Sequence, residues 1–333
     1  MDEFLVIGSG SAGRRHATAL RKCFPTASIS IVKRFGSSQP LDSLDSQNIR
    51  ILPSISDGIR LRPQFVVIAS AASQHLADFK EVCEHTDLVL IEKPLALSAT
   101  EGTSIIDLAR RTSCRVLVGY HLRFSETVLA FHRLIRSLGD TPPTEIRLAY
   151  GQHLRYWRPL VPANQSVTAR KDLGGGVLRE LSHEIDAVYY LGIRPSHVSG
   201  VVLRLDGAPT DGQVETSADF TLEGREGFAN IHLDMTAESP YRYWDAVYPD
   251  ATIRADLLNG TIARLDGNEV AVLHTSASEE RNRAGEALIQ AVLDPSIISQ
   301  IGPSDIHQGL RIVNTIEAIE DSARSGERVA IRE

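Results

Sequence analysis

Cysteine is scarce in this chain. Three residues, Cys23, Cys83 and Cys114, form an odd count with no CxxC spacing. That argues against a disulfide framework and against a cysteine-built zinc centre, and it points to a reducing compartment. A basic surplus is also missing: 35 Lys and Arg stand against 42 Asp and Glu, for a net charge of −7. General nucleic-acid binding therefore lacks its electrostatic footprint, while a local basic pocket for one phosphate stays compatible with the composition. No apolar run reaches the length of a membrane span, and no low-complexity tract, block of like charge or fixed-period repeat is found. The acidic pair Asp2-Glu3 leads into Phe4-Leu5-Val6-Ile7, which reads as a strand and not as a signal peptide. The expectation is a soluble cytoplasmic protein without membrane or nucleic-acid partners, whose 333 residues suffice for two moderate cores.

What is present is an alternation. Short apolar runs at Phe4 to Ile7, Ile29 to Val32, Phe65 to Ala69, Leu88 to Ile91 and Arg115 to Val118 are separated by helical patterns. This predicts βαβ units around a parallel sheet. Ser98-Ala99-Thr100-Glu101 has the form of a capping box, and Ser73 and Ser125 are expected to be N-caps. Beyond Thr144 the runs lengthen without intervening helices, at Val198 to Leu205, Val214 to Leu222, Phe228 to Met235 and Ala251 to Leu257, predicting a mostly antiparallel sheet. Helices are expected from near Val177, Glu279 and Asp305, with a domain boundary near residue 122.

Three motifs carry chemistry. Gly8-Ser9-Gly10-Ser11-Ala12-Gly13 follows the first strand and opens the first helix. There the glycines allow a tight turn, close approach of a pyrophosphate to helix N-terminal amides, and close helix–strand packing. Gly8, Gly10, Ser11, Ala12 and Gly13 are therefore expected to bind a dinucleotide. At the end of the second strand, where an acid would meet the 2′-hydroxyl of NAD, the chain reads Val32-Lys33-Arg34-Phe35-Gly36-Ser37-Ser38, and no carboxylate occurs before Asp42. Lys33 and Arg34 suit a 2′-phosphate, which favours NADP(H) and leaves NAD(H) open; an ordinary solvated strand end would carry the same bases.

The second motif, Glu92-Lys93-Pro94, stands at the carboxyl end of an apolar strand, where a lysine can hydrogen-bond a substrate hydroxyl or equally decorate the surface. The third runs from Leu173-Gly174-Gly175-Gly176 into Val177-Leu178-Arg179-Glu180-Leu181-Ser182-His183-Glu184-Ile185-Asp186. As one amphipathic helix it places Val177, Leu178, Leu181, Ile185 and Val188 on one side. Arg179, Glu180, His183, Asp186 and Tyr190 fall on the other. Glu180 beside His183 reads as a carboxylate orienting a general base, against the plainer reading of a solvated face. The triple glycine suggests that something approaches the backbone there. No metal site is read, because Glu180, His183 and Asp186 are accounted for by an acid–base pair and a neighbour.

In this order the motifs resemble the family of glucose-fructose oxidoreductase, inositol dehydrogenase and the rhizopine-catabolism protein MocA. The similarity runs over nearly the whole chain. It is carried by Ile7 to His16, Ile91 to Leu95, Val118-Gly119-Tyr120-His121-Leu122-Arg123-Phe124, and Leu173 to Asp186. The resemblance implies a doubly wound parallel Rossmann sheet over 1–121. Residues 122–333 would form an α+β substrate-binding and oligomerisation domain with a large, mostly antiparallel open sheet. It further implies a substrate pocket between the two and assembly as a homodimer or homotetramer. By position Lys93 matches the family's catalytic lysine, and the helix after Gly176 matches the one bearing its Asp and His. Ser70, Ala71, His75, Glu92, Lys93 and Arg123 join the cofactor contacts, and Tyr120 and His121 join Lys93 and His183 as substrate contacts. The segment holding His153, Tyr156, Trp157, Arg158, Arg170 and Lys171 reads as a loop over the pocket, with Trp157, Arg158 and Arg170 facing substrate.

Three departures from the family pattern stand out. Glu180 replaces the usual aspartate, with histidine three residues on where four is commoner. Ala71 stands where a proline is usual, and His121 where asparagine is. The expected activity is NADP(H)-dependent hydride transfer to or from a ring carbon of a sugar, sugar derivative (phosphate, nucleotide sugar or acidic sugar) or cyclitol. Two alternatives share the fold: a non-catalytic NADP-binding regulator, and a glycosidase-like enzyme that retains its nicotinamide.

Overall fold

The computed structural model describes residues 2–34, 48–138, 143–157, 166–204, 214–225, 227–276, 280–294, 296 and 302–332. The chain divides into two compact units. One comprises Met1–His121 and Arg281–Val313, the other Leu122–Glu280 and Asn314–Glu333.

In the first unit the strands β1 (Glu3–Ile7), β2 (Ser28–Val32), β3 (Arg50–Leu52), β4 (Phe65–Ile68), β5 (Leu88–Ile91) and β6 (Arg115–Val118) form a parallel sheet in the order β3-β2-β1-β4-β5-β6. Register runs Val6↔Ile31 and Val6↔Val67 through its centre. The apolar strands are continuous because helices cover both faces of such a sheet; Phe65–Ile68 is buried at every position. This is the strand order of a dinucleotide-binding fold, whose switch point lies between β1 and β4.

Ser98 caps the Ala99–Thr112 helix, its hydroxyl accepting from the Glu101 amide at 3.2 Å, and the Glu101 carboxylate accepts from the Leu97 amide. Ser125 caps Glu126–Ser137, in the second unit, in the same way. Ser73 does not cap: it lies inside the 3₁₀ turn Ala72–Gln74, and the helix starts only at His75, after Gln74. Chain from far along the sequence completes the sheet. Ser304–Asp305, as β15, pairs antiparallel with β6, and Gly309 and Leu310 pack against Leu95, Val118 and Gly102.

The second unit holds a nine-stranded sheet. To β7 (Glu145–Gly151) it adds β8 (Pro195–Arg204), β9 (Ser217–Gly224), β10 (Phe228–Asp234), β11 (Tyr241–Val247), β12 (Thr252–Asp256), β13 (Thr261–Asp266), β14 (Glu269–Thr275) and β16 (Val329–Ala330). The order is β14-β13-β12-β11-β7-β10-β9-β8-β16. Every pairing is antiparallel except β7 with β10. Alternate residues of β10 are buried, so one face of the sheet forms the core and carries the helices Val177–Glu180 and Ser182–Tyr190. Among the described residues no helix is long and apolar enough to cross a membrane.

Candidate active site

The ends of the first unit's strands stay in step beyond the strands themselves. The Gly8 amide donates to the Val32 carbonyl, Ala69 to Ile7, Glu92 to Ile68 and Gly119 to Ile91, all at 2.8–2.9 Å. The functional motifs of this unit therefore start from one level. Gly8 has φ +105°, and a Cβ there would lie 2.5 Å from the Ala69 carbonyl oxygen. A Cβ on Gly13 would lie 1.8 Å from the Gly8 oxygen, so Gly13 is required by packing of helix on turn. Gly10 differs: nothing lies within 4 Å of the place its Cβ would take, and it is the N-cap of Ser11–Cys23 without a side-chain cap. That helix has no acid in its first turn. Open space before uncapped amides at a positive helix end fits a pyrophosphate.

On the β2 side, Lys33 is exposed and Arg34 half-buried. Arg34 pairs at 2.5 Å with Asp78, whose side chain is fully buried and also accepts from the Ser70 hydroxyl at 2.6 Å. Burial pushes the Asp78 carboxyl up, against the Ser70 hydrogen bond and the Arg34 charge. Arg34 and Ser70 thus hold an internal carboxylate, and the exposed charge at this strand end belongs to Lys33. His75 is buried, with Nδ1 3.1 Å from the Pro94 carbonyl and Nε2 3.2 Å from that of Ser70. Burial lowers its pKa against the neighbouring carbonyls, and the ring lies between the turn after β4 and the turn after β5. Ala71 is extended and precedes the 3₁₀ turn.

Glu92, 8% exposed, takes a 2.7 Å hydrogen bond from the ring of buried His16, and its second oxygen accepts the Lys93 amide at 3.1 Å. Burial by itself would raise this carboxyl. The His16 hydrogen bond and charge, with Arg15 and His121 nearby, outweigh it and hold the group well below the usual carboxylate range. Glu92 is therefore an ionised strut that fixes the backbone carrying Lys93. The Lys93 side chain is partly exposed, and its peptide bond to Pro94 is cis. Tyr120 is fully buried and His121 half-buried.

In the second unit the predicted single amphipathic helix is two. Val177–Glu180 ends at Leu181 (φ −102°, ψ 23°), and Ser182–Tyr190 follows. On its supposed solvent side His183 and Asp186 are interior, 6% and 3% exposed, as is neighbouring Glu184 at 0%, while Arg179, Glu180 and Tyr190 are half-buried. The polar groups are stable there because cations answer them. Arg123 grips Asp186 with Nε at 2.8 Å and with Nη2, and Arg242 meets Glu184 at 2.7 Å. Burial raises the Asp186 carboxyl against the Arg123 charge. Arg123, expected at a cofactor, pairs with Asp186 and lies over the Tyr190 ring.

The Thr168 hydroxyl donates to Glu180 at 2.9 Å. The triple glycine is explained by the chain itself. Cβ atoms would lie 2.4 Å from the Thr168 oxygen at Gly175 and 2.3 Å from Glu215 at Gly176, and Gly174 and Gly176 have positive φ. Trp157 stacks on Tyr150, and exposed Arg170 forks onto Asp172. Arg158 lies outside the described residues. Sequence reasoning gave no role to His16, Asp78 or Thr168; of these only His16, on the inner face of its helix three residues after Gly13, carries a local signal.

Residues 3–120 match the Gfo/Idh/MocA model, an oxidoreductase family with an NAD-binding Rossmann fold. Glucose-6-phosphate 3-dehydrogenase of Bacillus subtilis (strain 168) is 26% identical over 208 residues, 57% of this chain. The match covers 54%, about half, of that protein's length. Levoglucosan dehydrogenase in complex with NADH and levoglucosan has a TM-score of 0.84 at 15% identity over 99% of both chains. The WlbA dehydrogenase from Bordetella pertussis, in complex with NADH and UDP-GlcNAcA, has a TM-score of 0.79 at 17% identity, covering 100% of this chain and 98% of that one. These structures share the fold of both units.

Proposed function

We propose that this chain, which belongs through residues 3–120 to the Gfo/Idh/MocA oxidoreductase family, is an NADP(H)-dependent enzyme that moves a hydride to or from a ring carbon of a sugar, sugar derivative or cyclitol. The observation that carries this reading is the placement of the open glycine turn and Lys93 at the carboxyl ends of β1 and β5. Only β4 separates these strands, so their ends lie about 10 Å apart. That is the crevice where such sheets bind a dinucleotide. Gly8, Gly10 and Gly13 with Ser11 and Ala12 would hold the pyrophosphate, and Lys33 the 2′-phosphate. The sugar names of the relatives support the substrate class.

The nicotinamide, when bound, supplies or accepts the hydride. In the oxidative direction His183 takes the proton of the substrate hydroxyl. Lys93, on the backbone that Glu92 fixes, donates a hydrogen bond to the substrate oxygen and stabilises the developing alkoxide. Reduction runs the same proton path backwards.

The test combines binding and turnover. Titration by nicotinamide fluorescence is expected to give tighter NADPH than NADH binding. Lys33→Ala should weaken NADPH about tenfold and leave NADH unchanged. Lys33 is the clean probe, since replacing Arg34 would strand the buried Asp78. Lys93→Ala should keep dinucleotide affinity and lower turnover of a sugar substrate by about 10²- to 10⁴-fold. A preference for NADH would sink the NADP assignment, and unchanged turnover would remove Lys93 from the mechanism.

A further inference from the structure

The acid that dinucleotide folds place at the end of β2, against the 2′-hydroxyl of NAD, is missing from the sequence there. The structure supplies one from another element. Asp78 stands in the first turn of the His75–Val82 helix, which follows β4. Its Oδ1 meets Arg34 Nη2 at 2.5 Å, and its Oδ2 accepts from the Ser70 hydroxyl at 2.6 Å. The ion pair thus joins the chain beyond β2 to the chain beyond β4, the two neighbours of β1 in the sheet. The glycine turn that β1 feeds lies directly against the same place: a Cβ on Gly8 would be 2.5 Å from the carbonyl oxygen of Ala69, the residue before Ser70. The pair therefore belongs to the β2 side of the crevice, where the adenosine half of a dinucleotide lies.

Lys33 and Arg34 read alone offer a 2′-phosphate two positive charges; with Asp78 the three side chains sum to one. The Asp78 side chain has no exposure, whereas 31% of the Arg34 side chain remains exposed. A buried carboxylate is poorly screened, so it acts on a nearby anion as well as on its partner. We propose that Asp78 is a specificity-determining residue for the dinucleotide: it takes up the Arg34 charge inside the protein and lowers the preference for a 2′-phosphate over a 2′-hydroxyl. This rests on the dinucleotide-binding part of the reading above and refines it. Lys33 attracts the 2′-phosphate, Asp78 opposes it, and the margin between NADPH and NADH is the difference. The surroundings make Asp78 open to test. Asparagine keeps its size and an acceptor for the Ser70 hydroxyl, and Arg34, already partly exposed, can turn to solvent or to a phosphate, so no buried charge is stranded.

Nicotinamide fluorescence titrations of the wild type and of Asp78→Asn with NADPH and NADH give the ratio of the two dissociation constants. Asp78→Asn is expected to gain about tenfold in NADPH affinity and to stay within about twofold of the wild type for NADH. Arg34→Gln/Asp78→Asn removes both charges of the pair and should return the ratio to within about twofold of the wild type. That double variant carries the test by itself if Asp78→Asn does not fold. An unchanged ratio in Asp78→Asn would overturn the proposal. So would a ratio shifted toward NADH, which would make Asp78 a support that aims Arg34 at the phosphate. An about tenfold loss of NADPH affinity in the double variant would overturn it too, since Arg34 would then grip the phosphate despite its partner. The readout is a change on substitution, so a wild type that prefers NADH would remove the NADP assignment while a gain of NADPH affinity in Asp78→Asn upheld the role of Asp78. Binding of neither dinucleotide by the wild type would overturn both.

Discussion

Glu92 concentrates much of the site's logic in one side chain. A carboxylate removed from water is costly unless hydrogen-bonded and paired, and here one oxygen meets His16 while the other holds the amide of Lys93. Its folded pKa is lowered. The stability it contributes is therefore fully present above the unfolded value of about 4.3 and is lost as pH falls through the folded one. Glu92→Gln should cost about 3 kcal/mol at neutral pH, and the melting temperature of this variant should fall less steeply than that of the wild type below about pH 4.5. Thermal melts between pH 7 and strongly acid buffer decide it. Parallel curves would mean that Glu92 is not the ionised strut described. Arg123–Asp186 and Arg242–Glu184 likewise each place an interior acid against a guanidinium.

At the level of elements, the glycine turn separates two jobs that the sequence pattern merges. Gly13→Ala drives a methyl into the Gly8 carbonyl and should lower the melting temperature by 10 °C or so, since overpacking costs roughly 1–3 kcal/mol and backbone cannot easily yield. Gly10→Ala meets nothing in the protein, so it should melt like the wild type yet bind dinucleotide at least tenfold more weakly. Melting and fluorescence titration on the two variants read the split directly. The buried parallel strands were legible because they are continuous apolar runs. By contrast β3, β15 and β16, two or three residues long, are defined by the neighbour they pair with and carry no pattern of their own. The Val177–Asp186 stretch misled for a related reason. Periodicity sorts residues into apolar and polar sides, but a polar side can face inward when Arg123 and Arg242, 63 and 58 residues away, supply the charge. Likewise the triple glycine signalled a close approach correctly, and what approaches is the chain's own 166–169 turn and Glu215.

For the molecule as a whole, the first unit is discontinuous in sequence. Residues 1–121 contain the glycine turn and Lys93, but the edge of β6 and the surface around Leu95 and Gly102 are covered by residues 304–310. A fragment of residues 1–121 should therefore expose an unpaired strand edge and an apolar patch. It is expected to melt without a cooperative transition and to elute as aggregates on size exclusion. A sharp melt accompanied by dinucleotide binding would refute this.

The edge strand Ser304–Asp305 also sets a clock on biosynthesis. A ribosome delivers residues 122–280, 159 in all, between the first unit's opening stretch and the stretch that closes it. At 5–20 residues per second this interval lasts on the order of 10–30 s. For that time the nascent first unit has an open flank along β6.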